Sequence, residues 1–293
     1  MRSFMGSWLL AFALVTNASG GAPPDDAILA SATAASGYEI VELVRGAPLH
    51  LAGGAYAGPD GHLYVASVFG GEIVVLDVDS GEIVRRLGPD DGVLGPDDLA
   101  FGPDGSLYWT DMLVGEVGRR TAEGAVTKQT VGPGVASITF ADDGRLYVAL
   151  NGMGDGLFEL DPELLAPPRP IVVASDAVPY PLGFFNAFDI GPDGRLVGPL
   201  LGAGMVVAFD VDSCEGTSDP WTDCDIVVLA SGIHSPVAAK FDASGVLHVL
   251  DAETGEVFTI DVETGDRATV ATLDPGLDNL AFDASDRLFV TNA

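Results

Sequence analysis

Gly95-Pro96-Asp97-Asp98-Leu99-Ala100-Phe101-Gly102-Pro103-Asp104-Gly105-Ser106-Leu107-Tyr108-Trp109-Thr110-Asp111 places an apolar run on either side of a Gly-Pro-Asp-Gly turn, with carboxylates before the first run and after the second. Leu99-Ala100-Phe101 and Leu107-Tyr108-Trp109 are aliphatic and aromatic and are bounded by Gly, Pro and Asp, which is the pattern of two short strands joined by a tight turn. The same turn recurs at Gly58-Pro59-Asp60-Gly61, Ala141-Asp142-Asp143-Gly144, Gly191-Pro192-Asp193-Gly194, Asp242-Ala243-Ser244-Gly245 and Asp283-Ala284-Ser285-Asp286. Its spacing of roughly 40 to 50 residues is that of a propeller blade. Most repeats continue with two more strands around a second turn, as in Glu72-Ile73-Val74-Val75-Leu76 followed by Glu82-Ile83-Val84. Four antiparallel strands per repeat predict an all-β chain folded as a six-bladed β-propeller. No stretch has the period of an amphipathic helix.

The termini bear on how such a ring closes. Tyr38-Glu39-Ile40-Val41-Glu42-Leu43-Val44 is a spare strand ahead of the first repeat, and the last repeat stops at Ala293 after its second strand. The last blade is therefore expected to be closed by the N-terminal strand and to be incomplete, either three-stranded or part of a longer chain, with the fragment reading favoured. Arg2, the apolar run from Phe4 to Val15 and the small residues Asn17 to Ala22 have the form of a signal peptide. The run is short for a bilayer span of about 20 residues. The expected organisation is a signal peptide over 1–22, a linker over 23–37 and the propeller over 38–293, in a secreted or periplasmic protein without a membrane segment after cleavage. A monomer is expected.

The formal charge of −30, from 43 acidic and 13 basic residues, is spread over turns and repels nucleic acid and anionic lipid. The two cysteines, Cys214 and Cys224, flank a short polar insert, and in an exported chain such a pair is expected to form a disulfide.

In every repeat the residue five before the opening turn starts the innermost strand, beside the central tunnel. Around the ring this register reads Gly53, Asp97, Ala136, Asn186, Val237 and Asp278. Asp97, Asn186 and Asp278 thus converge on one tunnel mouth, with Asn279 beside Asp278. Hard oxygen donors with one amide among carboxylates suit Ca²⁺ or another divalent cation, and no His or Cys joins the set to favour zinc. The competing reading is that these residues cap their own strands through side-chain hydrogen bonds. Asp111, Asp251 and Asn292 end the second strands on the same face, as supporting groups or as solvated strand ends. His50 and His234 fall in loops at that face, where a base or a substrate contact is possible. His248 replaces a second-strand aromatic and is read as a packed side chain, and His62 begins a strand on the opposite side.

With blades that run Pro96-Asp97-Asp98-Leu99-Ala100-Phe101-Gly102-Pro103-Asp104-Gly105-Ser106-Leu107-Tyr108-Trp109-Thr110-Asp111 and continue Gly115-Glu116-Val117-Gly118-Arg119, the chain from about Tyr38 onward resembles the senescence marker protein/gluconolactonase/luciferin-regenerating-enzyme family. The resemblance implies a divalent cation at the tunnel mouth, held by strand-start residues, and hydrolysis of lactones. By motif it carries the ligand role to Asp97, Asn186 and Asp278, with Asn279 as an added candidate. Gly53 stands where the family has its first-blade Glu, and the third blade offers Ala136. The motif is shared with NHL-type and virginiamycin-lyase-like propellers. The expected function is hydrolysis of a small-molecule lactone or ester with a calcium-type cation, Asp278 or His234 taking the proton. The alternative is a non-catalytic, secreted NHL-like propeller that binds a protein, sugar or metabolite.

Overall fold

The structure, a computed structural model, describes residues 32–44, 49 and 51–292 together with the backbone of strand Leu10–Phe12. His50 lies outside the described residues, and so does the expected signal peptide apart from Leu10–Phe12. The fold is an all-β propeller. Four sheets have four strands each in sequence order, and they begin with inner strands Ala52–Ala57, Pro96–Phe101, Val135–Phe140 and Asp189–Ile190. The fifth begins with Pro236–Phe241 and carries a fifth strand, Thr33–Ala34, on its outer edge. Leu277–Phe282 and Leu288–Asn292 form a final two-stranded sheet. Each inner strand neighbours the next, and Leu277–Phe282 lies against Ala52–Ala57, so the inner strands surround one axis.

The repeated turn has a plain physical cause. Asp60, Asp104, Asp143 and Asp193 each accept a hydrogen bond from the amide two residues on, which closes an Asx turn, and Asp242 and Asp283 do the same from two turn positions earlier. The fourth turn residue is left-handed in each of the turns ending at Gly61, Gly105, Gly144, Gly194, Gly245 and Asp286, which is why Gly fills it five times and Asp once. Between sheets, the aromatic that ends an inner strand wedges edge-on against the aromatic of the preceding sheet. Phe101 meets Tyr64 at 5.0 Å, Phe140 meets Tyr108 at 4.9 Å and Phe282 meets His248 at 4.9 Å. His248 is buried and its pKa is pushed down by desolvation, so it packs as an aromatic. Trp109 is fully buried across from Gly118, where a β-carbon would stand 2.2 Å from the indole ring. Cys214 and Cys224 are bonded and join the apolar cluster shared by the third and fourth sheets, while Thr217 of the insert bridges in parallel to Val172 at the third sheet's outer edge.

The N-terminal segment differs from the expected arrangement in detail. Within the segment read as a linker, Thr33–Ala34 pairs antiparallel with Ala271 and Thr272. Tyr38 and Ile40 do pack on the cluster that holds Leu288 and Val290. The strand Ile40–Glu42, however, takes Leu10–Phe12 as its parallel ladder partner, and Leu10–Phe12 is the element that stands beside Leu288–Asn292. Closure by Tyr38 to Val44 is therefore through side-chain packing and not through a direct ladder with the last strand.

Candidate functional site at the tunnel mouth

The inner strands are not regular where the site lies. A register shift interrupts the ladder between Ala52 and Ala55, Pro96 and Leu99, Val135 and Ser137, Pro236 and Ala238, and Leu277 and Leu280. A β-bulge leaves its extra residues unpaired and re-aims their side chains. Here it frees Gly53-Gly54, Asp97-Asp98, Ala136, Val237 and Asp278-Asn279, at the register the sequence singles out.

Hydroxyls lock the bulges to one another. Thr110 Oγ1 accepts from the Asp98 amide at 2.9 Å and donates to the Ala136 carbonyl of the next sheet at 2.5 Å. Thr291 repeats this relay, accepting from the Asn279 amide at 3.0 Å and donating to the Gly53 carbonyl at 2.7 Å. Asp98 is buried and reaches two sheets at once. Its Oδ2 accepts from the Ile138 amide at 3.1 Å, and its Oδ1 accepts from Asn279 Nδ2 at 3.1 Å. The second bond passes over the first sheet, and Gly54 makes room for it: a β-carbon there would lie 2.4 Å from Asp98 Oδ1. A β-carbon at Gly53 would lie 2.7 Å from the Asp97 carbonyl oxygen. The position that holds Glu in the resembled family therefore has no space for a side chain in this ring.

The predicted site residues divide into two groups. Asp97 and Asp278 are half-buried, and no hydrogen bond to either carboxylate is found among the described residues. Desolvation raises the Asp97 pKa well above the carboxylate range, and the charges of Asp278 and Asp98 raise it further. Desolvation, with the Asp98 charge added, pushes Asp278 up to about 7. The two carboxylates therefore feel each other across the side-chain-free Gly53-Gly54. Burial also raises Asp98, although the Lys240 charge and the bonds from Ile138, Leu99 and Asn279 oppose it.

The other two candidates are committed elsewhere. Asn186 Oδ1 accepts from Ser137 Oγ at 3.0 Å and its Nδ2 donates to the Val237 carbonyl at 3.0 Å, tying the third, fourth and fifth sheets together. Asn279, expected as an added ligand, gives its Nδ2 to Asp98 and accepts the Leu280 amide, so it positions Asp98. Among the described residues no three His, Cys, Asp or Glu side chains are grouped closely enough to hold one ion. His234 sits on the rim with its side chain 65% exposed, its amide donating to Asp251 Oδ2 and its Nδ1 3.4 Å from the same oxygen.

The acids that end the second strands organise loops. Asp251 accepts from the amides of His234, Ser235, Glu253 and Thr254. Asp111 accepts from Leu94 and Gly95 and pairs with Lys128, and Asn292 donates to the carbonyls of Asp274 and Pro275. These buried residues are loop braces, neither solvated strand ends nor groups that touch Asp97 or Asp278 by a hydrogen bond. The residues that sequence reasoning passed over are Thr110 and Thr291. Their signal was present as Trp109-Thr110-Asp111 against Val290-Thr291-Asn292.

No family model matches this chain, and no curated protein matches its sequence. Solved structures do share its fold. A gluconolactonase, XC5397 from Xanthomonas campestris, aligns with a TM-score of 0.61 at 15% identity over 84% of this chain and 84% of its own. Virginiamycin B lyase from Staphylococcus aureus aligns at 0.58 and 14% identity, over 82% of this chain and 77% of its own. A chain of a nidogen/laminin complex aligns at 0.58 and 17% identity, over 83% of this chain and 85% of its own. At these identities the likeness is one of fold.

Proposed function

We propose that the chain is an exported, monomeric, six-bladed propeller hydrolase that opens a small lactone or ester at the Asp97–Asp278 mouth with a calcium-type divalent cation. The observation that carries this reading is the pair of uncommitted, partly open carboxylates facing one another where bulges free them from the ladder. Their donor set fits a hard cation in part: two carboxylates, the second lone pair of Asn186 Oδ1 and water, with the first-sheet ligand excluded by the space around Gly53. When bound, such a cation polarises a carbonyl and acidifies water. The chain's own contribution is to set Asp97 and Asp278 at one mouth, to hold their bulges rigidly through the Thr110 and Thr291 relays, and to take a proton on Asp278, or on His234 at the rim. The gluconolactonase among the fold neighbours is consistent with this chemistry.

Calcium titration followed by thermal denaturation, with a panel of lactones and aryl esters, tests the proposal. The expected result is a calcium-dependent rise in melting temperature together with calcium-dependent turnover. A thermal shift without turnover of any substrate would favour the binding-module reading, which the side-chain-free Gly53 and the committed Asn186 and Asn279 also support. Neither shift nor turnover would remove the cation from the site. Export rests on the sequence of residues 1–22 and agrees with the disulfide. Intact-mass measurement of protein recovered outside the cytoplasm should show a chain starting between Ala18 and Ala22; a start at Met1 would contradict cleavage and leave Leu10–Phe12 as part of the mature fold.

A further inference from the structure

The inner strands also end somewhere, and at their far ends the tunnel widens into a cavity of about 240 Å³. It is lined by Tyr56, Thr139, Phe140, Asp189, Lys240 and Phe282, among others. Its lining on the last sheet runs from Leu280 to Phe282, two to four residues beyond Asp278, so the chamber begins roughly 7 Å along the strand from the acidic mouth and extends to roughly 13 Å. Its walls are aromatic, and its charged groups are not equivalent. Asp189 turns its oxygens to the amides of Ile190 and Phe241, at 2.9 Å each. Lys240 donates one hydrogen bond, to the Phe188 carbonyl at 2.7 Å, and no carboxylate stands within ion-pair distance of it among the described residues. An ammonium has three donors. The only other lysine, Lys128, is paired with Asp111 and Glu116. In a chain with a formal charge of −30, an ammonium that lines a chamber of mixed aromatic and polar walls, with no carboxylate in ion-pair distance, is a specific feature.

We propose that this chamber is a second binding site, for a small organic monocarboxylate whose carboxylate meets Lys240 and whose apolar body lies against Phe140 and Phe282. The aromatic walls and single unpaired cation match one anionic end and one apolar end. The volume is below the 300–1,000 Å³ of drug-sized pockets, which restricts the ligand to a compact acid. Thr139 and Tyr56 add hydroxyls at the wall, and burial together with the Asp189 charge keeps the Tyr56 phenol protonated as a donor. The proposal does not rest on the chemistry proposed for the acidic mouth, although the Lys240 charge also acts on Asp98 there.

Benzoate is the probe, followed by calorimetry and saturation-transfer NMR on the full chain at low ionic strength, where screening is weak. Saturable binding in the millimolar range is expected for benzoate, with benzyl alcohol and benzylamine binding at least tenfold more weakly. Lys240→Met should lower benzoate affinity at least tenfold, Lys240→Arg should retain it, and Asp97→Asn at the opposite mouth should leave it unchanged. No saturable benzoate binding to the unmodified protein would overturn the proposal, whatever the variants do. Equal binding of benzylamine, or loss of benzoate in Asp97→Asn, would overturn it as well. In the first case Lys240 is a counter-charge to Asp98 only.

Discussion

Asp278→Asn is expected to lower cation-dependent lactone or ester hydrolysis by at least about 100-fold while raising the melting temperature of the cation-free protein. The two effects have one cause. Asp278 is the uncommitted carboxylate whose pKa burial and the Asp98 charge hold at about 7, so near neutral pH it is available to accept a proton and, as an anion, to repel the buried Asp98. Asn keeps the volume and removes the charge. The base and one cation ligand are lost, and the like-charge repulsion is lost with them. Since the folded state binds the Asp278 proton more tightly than the unfolded state, its contribution is complete below about pH 4 and disappears as pH rises through about 7. Thermal denaturation of chelator-treated protein should therefore show stability falling between those limits, with a flatter profile in the variant. Calcium should flatten the wild-type profile too, by supplying the missing positive charge. Undiminished turnover would remove Asp278 from the reaction, and a destabilised variant would show that the carboxylate has a partner that holds the fold.

Gly54→Ala is expected to be the more damaging change to the ring itself, destabilising the fold by roughly 3 kcal/mol and abolishing any activity of the mouth. Its β-carbon would fall 2.4 Å from Asp98 Oδ1, 2.6 Å from Asp98 Cα and 2.8 Å from the Asp97 carbonyl oxygen. Two of these three atoms are backbone, so no rotamer relieves the contact. The second sheet's bulge must move, and the Asn279–Asp98 and Ile138–Asp98 bonds move with it. Gly53→Glu, which puts the resembled family's ligand back, should fail for the same reason. Gly88→Ala is the control, since its β-carbon would meet nothing within 4 Å and its φ of −123° is open to any residue. Urea denaturation of the three variants separates the outcomes: a Gly54→Ala midpoint equal to that of Gly88→Ala would mean the sheets yield at no cost, and the cross-ring bond is then not a constraint.

The four carboxylates of Gly95 to Asp111 have four different fates. Asp104 closes its own Asx turn, as its place in the Gly-Pro-Asp-Gly turn predicts. Asp111 braces the loop that leads into the strand. Asp97 has no hydrogen-bond partner among the described residues, and Asp98 beside it is fully engaged.

What the sequence by itself determined is what short-range physics sets. The left-handed fourth turn position, the Asx side chain and the alternation of apolar residues are written within each repeat, and so the strands, the propeller and the His248 packing position were all legible. The Cys214–Cys224 bond, ten residues apart, was legible for the same reason. Only the tertiary structure decided which oxygen atoms remain available, because their competitors arrive from other sheets. Asn279 is engaged by a residue 181 positions away and Asn186 by one 51 away, distances over which no local pattern carries a signal. The same holds for Gly53, whose missing side chain reads as a lost ligand until the second sheet's bulge is seen filling that space. Lys240 had no motif to mark it at all: its significance comes from five inner strands converging on one chamber, and convergence is a property of the closed ring.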